Sequence, residues 1–136
     1  MPDIILAKLQ TIERCFARIE EEYAGDRTTF LQNFTKQDSV TLNLERASQA
    51  AIDIAAHIVK TEKLGIPAAS RELFQMLEEA GIITTETAKQ MQKMVGFRNI
   101  AVHDYQNLNI DILVAIIENH LSDFLRFNRE ILTYLS

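Results

Sequence analysis

The sequence of 136 residues has the length of one domain, and its 14 basic and 19 acidic residues give a formal net charge of −5. This balance excludes a protein that holds polyanions through bulk positive charge, so any contact with nucleic acid must be local. Apolar residues make up 47% of the chain, which is ordinary for a globular domain with a core. The one cysteine, Cys15, cannot form a disulfide within the chain, which fits a reducing compartment.

The N-terminus begins with Met1, Pro2 and Asp3 and lacks the basic segment and apolar run of a signal peptide. No apolar stretch approaches the roughly 18 residues that a membrane-spanning helix needs. We therefore expect a cytoplasmic protein without a membrane span, with a single helical domain over residues 1–136.

The first predicted helix runs from about residue 3 to residue 23. Its apolar residues recur every three or four positions and form one seam: Ile5, Leu9, Ile12, Phe16, Ile19 and Tyr23. An irregular stretch follows, from which Phe30 and Phe34 are expected to pack against the helices.

The second predicted helix starts after Asp38, a favourable N-cap, and ends near Leu64. Its broad apolar face is formed by Val40, Leu44, Ala51, Ala55, Ile58 and Val59. A short third helix is predicted at 70–80, with Ser70 as N-cap and Gly81 as its end. Longer helices follow at 85–103 and 109–134. The pattern predicts an all-α bundle of four long helices and one short helix.

Arg98 breaks the apolar pattern of the fourth predicted helix. At about 100° per residue it lies in the middle of a stripe formed by Met91, Met94, Val95, Ala101 and Val102. Arginine is rarely buried without a partner, because removing its charge from water costs several kcal/mol. Arg98 therefore either reaches water or a fixed ion pair, or it is a cation held in a groove to meet an anion.

His103 and Asn99 follow Arg98 closely. They are four residues apart and share a helical face, and His103 lies where the helix is predicted to end. A histidine in such a position can act as a general acid or base near neutral pH. A nearby guanidinium can stabilise negative charge on a phosphate.

A second polar stripe lies on the second predicted helix, where Asn43, Arg46, Asp53 and His57 fall within about 80° of one another. This stripe is either a solvated face with a helical ion pair or a polar wall that orients Arg98 or His103. His120 stands beside Ile117 and Leu121 and is interpreted as structural. The sequence has no glycine-rich phosphate loop, no nucleophile elbow and no metal-ligand spacing, so we expect no metal site.

The segment from Lys93 to Tyr105 resembles the HEPN superfamily, and within it the HepT toxins of HepT/MntA toxin–antitoxin systems. The resemblance rests on an R-x4-H-x-Y motif, here Arg98, His103 and Tyr105. The strings Q-D-S-V-T-L-N-L from Gln37 and A-I-D-I-A-A-H-I from Ala51 resemble the same proteins, so the likeness covers nearly the whole chain.

The resemblance implies a HEPN-type homodimer and a metal-independent endoribonuclease that acts as a toxin without a cofactor. It makes Arg98 and His103 the catalytic residues, for which we expect Asn99 and Asp53 to give support. It also implies a minimal nucleotidyltransferase antitoxin of the MntA type, which uses ATP and Mg²⁺ to transfer AMP to Tyr105.

Two other function classes stay open. The chain could be a non-catalytic HEPN module that binds a nucleotidyltransferase or a nucleotide. A phosphotransfer bundle with a phosphate-accepting histidine is a weaker alternative, because no solvent-facing histidine with basic neighbours stands out in the sequence.

Overall fold

The computed structural model describes residues 2–103 and 109–136, which form seven α-helices and no strand. The helices are α1 (Pro2–Tyr23), α2 (Arg27–Leu31), α3 (Phe34–Thr61), α4 (Ser70–Glu79), α5 (Thr85–His103), α6 (Ile110–Asn119) and α7 (Leu121–Leu135). The all-α prediction is confirmed, although the helices are more numerous than predicted. Across these two ranges, no helix is both long enough and apolar enough to cross a bilayer.

Helices α1 and α3 form the largest helix pair of the fold. They are antiparallel, because Lys8 near the start of α1 pairs with Asp53 in the second half of α3, whereas Tyr23 at the end of α1 stacks on Phe30, just before α3 begins. The predicted apolar seam of α1 and the predicted face of α3 are both buried. Burial of these two faces against each other fixes the frame on which α5 packs.

The start of α3 differs from the prediction. Asn33 is its N-cap and accepts a hydrogen bond from the Lys36 N–H at 3.0 Å, so Asp38 lies one turn inside the helix rather than at its start. The preceding stretch is not irregular but forms α2, which Asp26 caps through the Thr29 N–H. Phe30 is fully buried as expected, whereas Phe34, as the first residue of α3, is 79% exposed.

Helix α4 is capped differently from the prediction. Its N-cap is Ala69, which offers no side-chain acceptor, and the Glu72 carboxylate instead accepts a hydrogen bond from the Ala68 N–H at 2.7 Å. Gly81 ends the helix as predicted: its φ of +77° suits glycine, and its N–H bonds to the Glu78 carbonyl.

The predicted last helix, 109–134, is two helices. His120, with a φ of −122°, is both the C-cap of α6 and the N-cap of α7. The imidazole Nδ1 lies 3.1 Å from the Asp123 carboxylate, so the side chain secures the junction, in agreement with a structural role for His120. The apolar spacing continues across the break and therefore does not reveal it.

Asn128 on α7 is a buried amide whose nitrogen and oxygen both lack a hydrogen-bond partner among the described residues. Leaving such a group unsatisfied costs roughly 1–3 kcal/mol, so we expect Asn128→Leu to raise the free energy of unfolding by about 1 kcal/mol. The thermal midpoint, followed by circular dichroism, should then rise by about 3 °C. The exposed Asn119→Leu is the control for helix propensity, and a lower midpoint for Asn128→Leu would contradict the prediction.

Candidate active site at the end of helix α5

The start of α5 is anchored by α7. The Glu130 carboxylate accepts hydrogen bonds from the Thr84 N–H at 2.6 Å and from the Thr87 hydroxyl at 2.5 Å. The Arg126 Nε donates to the same Thr87 hydroxyl at 2.9 Å. Because these bonds satisfy donors at the N-terminus of α5 and place a negative charge there, they hold the helix that carries Arg98 and His103.

We expect Glu130→Ala to lower the free energy of unfolding by about 2 kcal/mol, since it removes a charged acceptor from several donors at once. Urea unfolding followed by circular dichroism measures this change. Glu13→Ala, at an exposed position on α1, is the matched control. Equal midpoints for the two variants would show that the contact does not stabilise the fold.

Arg98 lies half-buried on the inner face of α5, on a line with the buried Met91, Met94 and Ala101. Its Nε is buried and has no hydrogen-bond partner within the described residues, and Arg98 joins none of the ion pairs found there. A fixed ion pair for Arg98, one of the possibilities left open by the sequence, is therefore not seen in this part of the chain. A partly desolvated guanidinium of this kind is suited to an anionic ligand.

His103 is the last residue of α5, and both it and Asn99 are exposed. Arg98 and His103 are separated by about 140° around the helix axis, with Val102 between them. Val102 is 40% exposed, so the inner face of α5 opens to solvent within one turn of Arg98. Tyr105 lies outside the described residues.

The N-terminal half of α3 forms the opposite side of this opening. A shallow cleft of about 250 Å³ is lined by Ala101 of α5 and by four residues of α3: Asp38, Thr41, Leu42 and Glu45. Its acidic residues would favour a cation at the end of α5 and would disfavour anions bound further along α3.

Asp53 lies elsewhere on α3. Its carboxylate accepts from the Lys8 ammonium at 3.0 Å and from the Gln49 amide at 2.8 Å, so it joins α1 to α3. It is eight residues beyond Glu45, or about 12 Å along the axis, and the structure does not bring it to Arg98. The rest of the stripe is also divided: Asn43 is buried and bonds to the Ser39 carbonyl, whereas Arg46 is exposed.

Sequence reasoning missed a second feature, a larger cavity that borders α5. It has a volume of about 530 Å³ and lies between α5, α6 and α7. Half-buried Phe97 and exposed Ile100 and Ile112 line it. The one signal for this cavity in the sequence is that the apolar residues of α6 extend beyond the face that the helix buries.

Neither Cys15 nor the acidic residues form a metal site in the two described ranges, where no cluster of three or more His, Cys, Asp or Glu side chains occurs. Burial raises the pKa of the Cys15 thiol, so this residue stays protonated inside the core.

Comparison with known proteins finds two relatives that are named as HepT nucleases. A curated relative from Shewanella oneidensis, named mRNA nuclease HepT, is 52% identical over 127 residues, which cover 93% of this chain and 95% of the relative. A tRNA nuclease HepT from Aphanizomenon flos-aquae is 31% identical over 98% of this chain and 91% of its own.

The fold comparison leads to the same proteins. The solved structure of a tri-AMPylated Shewanella oneidensis HEPN toxin in complex with an MNT antitoxin matches with a TM-score of 0.92 and 50% identity, covering 98% of this chain and 99% of that one. The all-α HEPN-type fold expected from the sequence is thereby confirmed. The family model described as "Ribonuclease HepT-like" matches residues 12–131, which include the whole of α5 and the segment beyond it. With the fold, the relatives and the family model in agreement, the chain belongs to the HepT-like ribonuclease family.

Proposed function

We propose that this protein is a metal-independent endoribonuclease and the toxin of a toxin–antitoxin pair. The observation that carries the proposal is Arg98, whose buried Nε lacks a partner in the described structure, about one and a half turns of α5 before the exposed His103. The nuclease names of the relatives and the toxin–antitoxin complex of the solved neighbour support the same assignment.

The proposed reaction uses the RNA's own 2′-hydroxyl as the nucleophile. A base removes its proton, the 2′-oxygen forms a bond to phosphorus, and the bond from phosphorus to the 5′-oxygen breaks. An acid then protonates the departing 5′-oxygen, which leaves a 2′,3′-cyclic phosphate. His103 supplies proton transfer, Arg98 binds the scissile phosphate and stabilises the charge of its transition state, and Asn99 makes a further phosphate contact.

Proton transfer at both oxygens is the reason to propose a homodimer. One chain contributes a single motif histidine, whereas two chains that face a common cleft contribute one base and one acid. The exposed position of His103 at the end of α5 leaves it accessible to such a shared cleft. Asp53 is bound to Lys8 and Gln49, so its supporting role would be to hold α3 rather than to touch the phosphate.

The proposed neutralisation is AMPylation of Tyr105 by a partner nucleotidyltransferase that uses ATP and Mg²⁺. The solved relative carries this kind of modification and is bound to an antitoxin. An adenylate adds bulk and negative charge next to His103, which would exclude RNA by contact and by repulsion of its phosphates. RNA cleavage itself would need neither metal nor cofactor.

The purified protein is expected to cut total RNA into discrete fragments in the presence of EDTA. The fragments should end in 2′,3′-cyclic phosphates, which resist a phosphomonoesterase until acid opens the ring. Cleavage that requires added Mg²⁺ would overturn the metal-independent mechanism. Binding to the nucleotidyltransferase without any RNA cleavage would instead favour the non-catalytic module.

A further inference from the structure

The cavity between α5, α6 and α7 has no part in the mechanism above. We propose that it binds one unpaired base of the RNA substrate, beside the phosphate that is cut. This inference rests on the proposed ribonuclease function and adds the part of the substrate that the second site would recognise.

The walls of the cavity suit a flat aromatic ligand. Its volume of about 530 Å³ exceeds that of one base, and its walls include Met91, Met94, Phe97 and Phe124. Phe124 is held by an edge-to-face contact with Phe16 at 5.1 Å between ring centroids, whereas Phe97 is half-buried. Bases that leave a helix commonly stack on aromatic and apolar side chains of this kind.

Polar groups on the lining can meet the edge of a base. The Gln90 amide nitrogen donates to Glu86, and the Asn109 side-chain oxygen accepts from the Asp111 N–H. Among the described residues, the Gln90 side-chain oxygen therefore remains available as an acceptor, and the Asn109 side-chain nitrogen remains available as a donor. His120 Nδ1 contacts Asp123, and its Nε2 has no partner in the same residues.

Charge favours a nucleic acid over an apolar peptide. Exposed Lys93 and Arg71 line the same cavity, although the whole chain is acidic. Arg71 is held against α5 by the Gln92 side chain, which donates to the Arg71 carbonyl at 3.2 Å. Asp123, the acidic residue of the lining, is paired with Arg126 at 3.0 Å. The two cations can thus contact phosphates on either side of a bound base.

The cavity is also close enough to the motif for one RNA strand to reach both. Phe97 and Ile100 belong to the last two turns of α5, and Phe97 is about 9 Å from His103 along the helix axis. A strand whose phosphate lies at the end of α5 can therefore place a neighbouring base in the cavity. A base bound there would position the phosphate and select among sequences.

Two of the chain's four methionines line the cavity and report on its contents. The methyl signals of Met91 and Met94 are followed by NMR while 2′-O-methyl oligonucleotides of each single base, which cannot be cut, are added. We expect both signals to shift with at least one base and to stay in place with a base-free strand of the same length. Met76, on α4 and outside the cavity lining, is the internal control.

Ala115→Phe fills the cavity from α6, and Ala17→Phe at an exposed position of α1 is its matched control. We expect Ala115→Phe to weaken oligonucleotide binding about tenfold, the size of one lost stacking contact, and Ala17→Phe to leave it unchanged. If Ala115→Phe does not fold, the methyl signals of the unsubstituted protein decide the question.

The inference is overturned if unmodified RNA is cut but neither methyl signal shifts with any base. That result would leave the proposed ribonuclease function standing. It is also overturned if the signals move only when a protein partner is added. Shifts with bases in a protein that cuts no RNA would support the cavity as a base site and would overturn the ribonuclease instead.

Discussion

His103→Ala is expected to lower the rate of RNA cleavage by about a thousandfold, because positioned proton transfer contributes roughly 10²–10⁴-fold to such reactions. His103 is exposed at the last position of α5, so its loss leaves the core untouched and the variant should fold with an unchanged thermal midpoint. The initial rate of cleavage of a labelled RNA, measured in EDTA, gives the effect.

Arg98→Ala is expected to lower the same rate by a factor of about 10²–10³, the usual cost of removing a donor that stabilises transition-state charge. Arg98→Lys should restore only part of the loss, since an ammonium cannot bind two phosphate oxygens side by side. Arg18→Ala, an exposed arginine paired with Glu21 on α1, is the control and should cleave normally.

The His103→Ala and Arg98→Ala variants must be shown to be folded before their cleavage rates are compared. Circular dichroism and size-exclusion chromatography should give the same helix content and the same oligomer for all of them. If a folded His103→Ala or Arg98→Ala variant keeps full cleavage and full toxicity, the proposed catalytic pair is incorrect.

Tyr105→Phe is expected to abolish neutralisation by the partner nucleotidyltransferase while leaving RNA cleavage intact. The chain has three tyrosines, and two of them are engaged. Tyr23 donates to the Glu118 carboxylate and Tyr134 donates to the Glu62 carboxylate. Burial and the neighbouring carboxylate raise the pKa of Tyr23 to about 12, and the bond to Glu62 raises the pKa of Tyr134 to about 12. Both hydroxyls are therefore occupied by hydrogen bonds within the fold.

Incubation with the partner, ATP and Mg²⁺ should add adenylate mass to the peptide that holds Tyr105. Tyr23→Phe and Tyr134→Phe are matched controls and should be modified as the unsubstituted protein is. In cells, co-expression of the partner should rescue growth with these two variants and fail to do so with Tyr105→Phe. Adenylate found on another residue, or rescue of Tyr105→Phe, would contradict the proposal.

The candidate site could be predicted from the sequence only in part. Arg98 stood out because a cation in an apolar stripe is costly, and the structure shows it half-buried and without an ion pair among the described residues. Asp53 could not be placed, because helical periodicity says which residues share a face but not which helix covers that face. Helix α1 covers the face that carries Asp53, and the Lys8 ammonium of α1 pairs with the Asp53 carboxylate. Asp53 therefore joins two helices.

Helix ends were harder to predict than helix faces for a related reason. Asp38 and Ser70 are good N-caps by type, but Asn33 and the Glu72 carboxylate meet the free N–H groups at or just before the helix starts. The break at His120 depends on where α6 and α7 can pack, and the apolar spacing runs through it unchanged. A local capping preference of about 1 kcal/mol yields to packing at such points.

The sequence by itself determined the all-α class, the buried seams of α1 and α3, the bounds of α5 and the motif at its end. These follow from the 3.6-residue period and from the cost of burying charge, which are both local properties. The tertiary structure alone decided which side chains reach Glu130, that Asp53 belongs to the α1–α3 contact, and that a cavity lies between α5 and α6. These depend on contacts between residues far apart in the chain, which no local pattern contains.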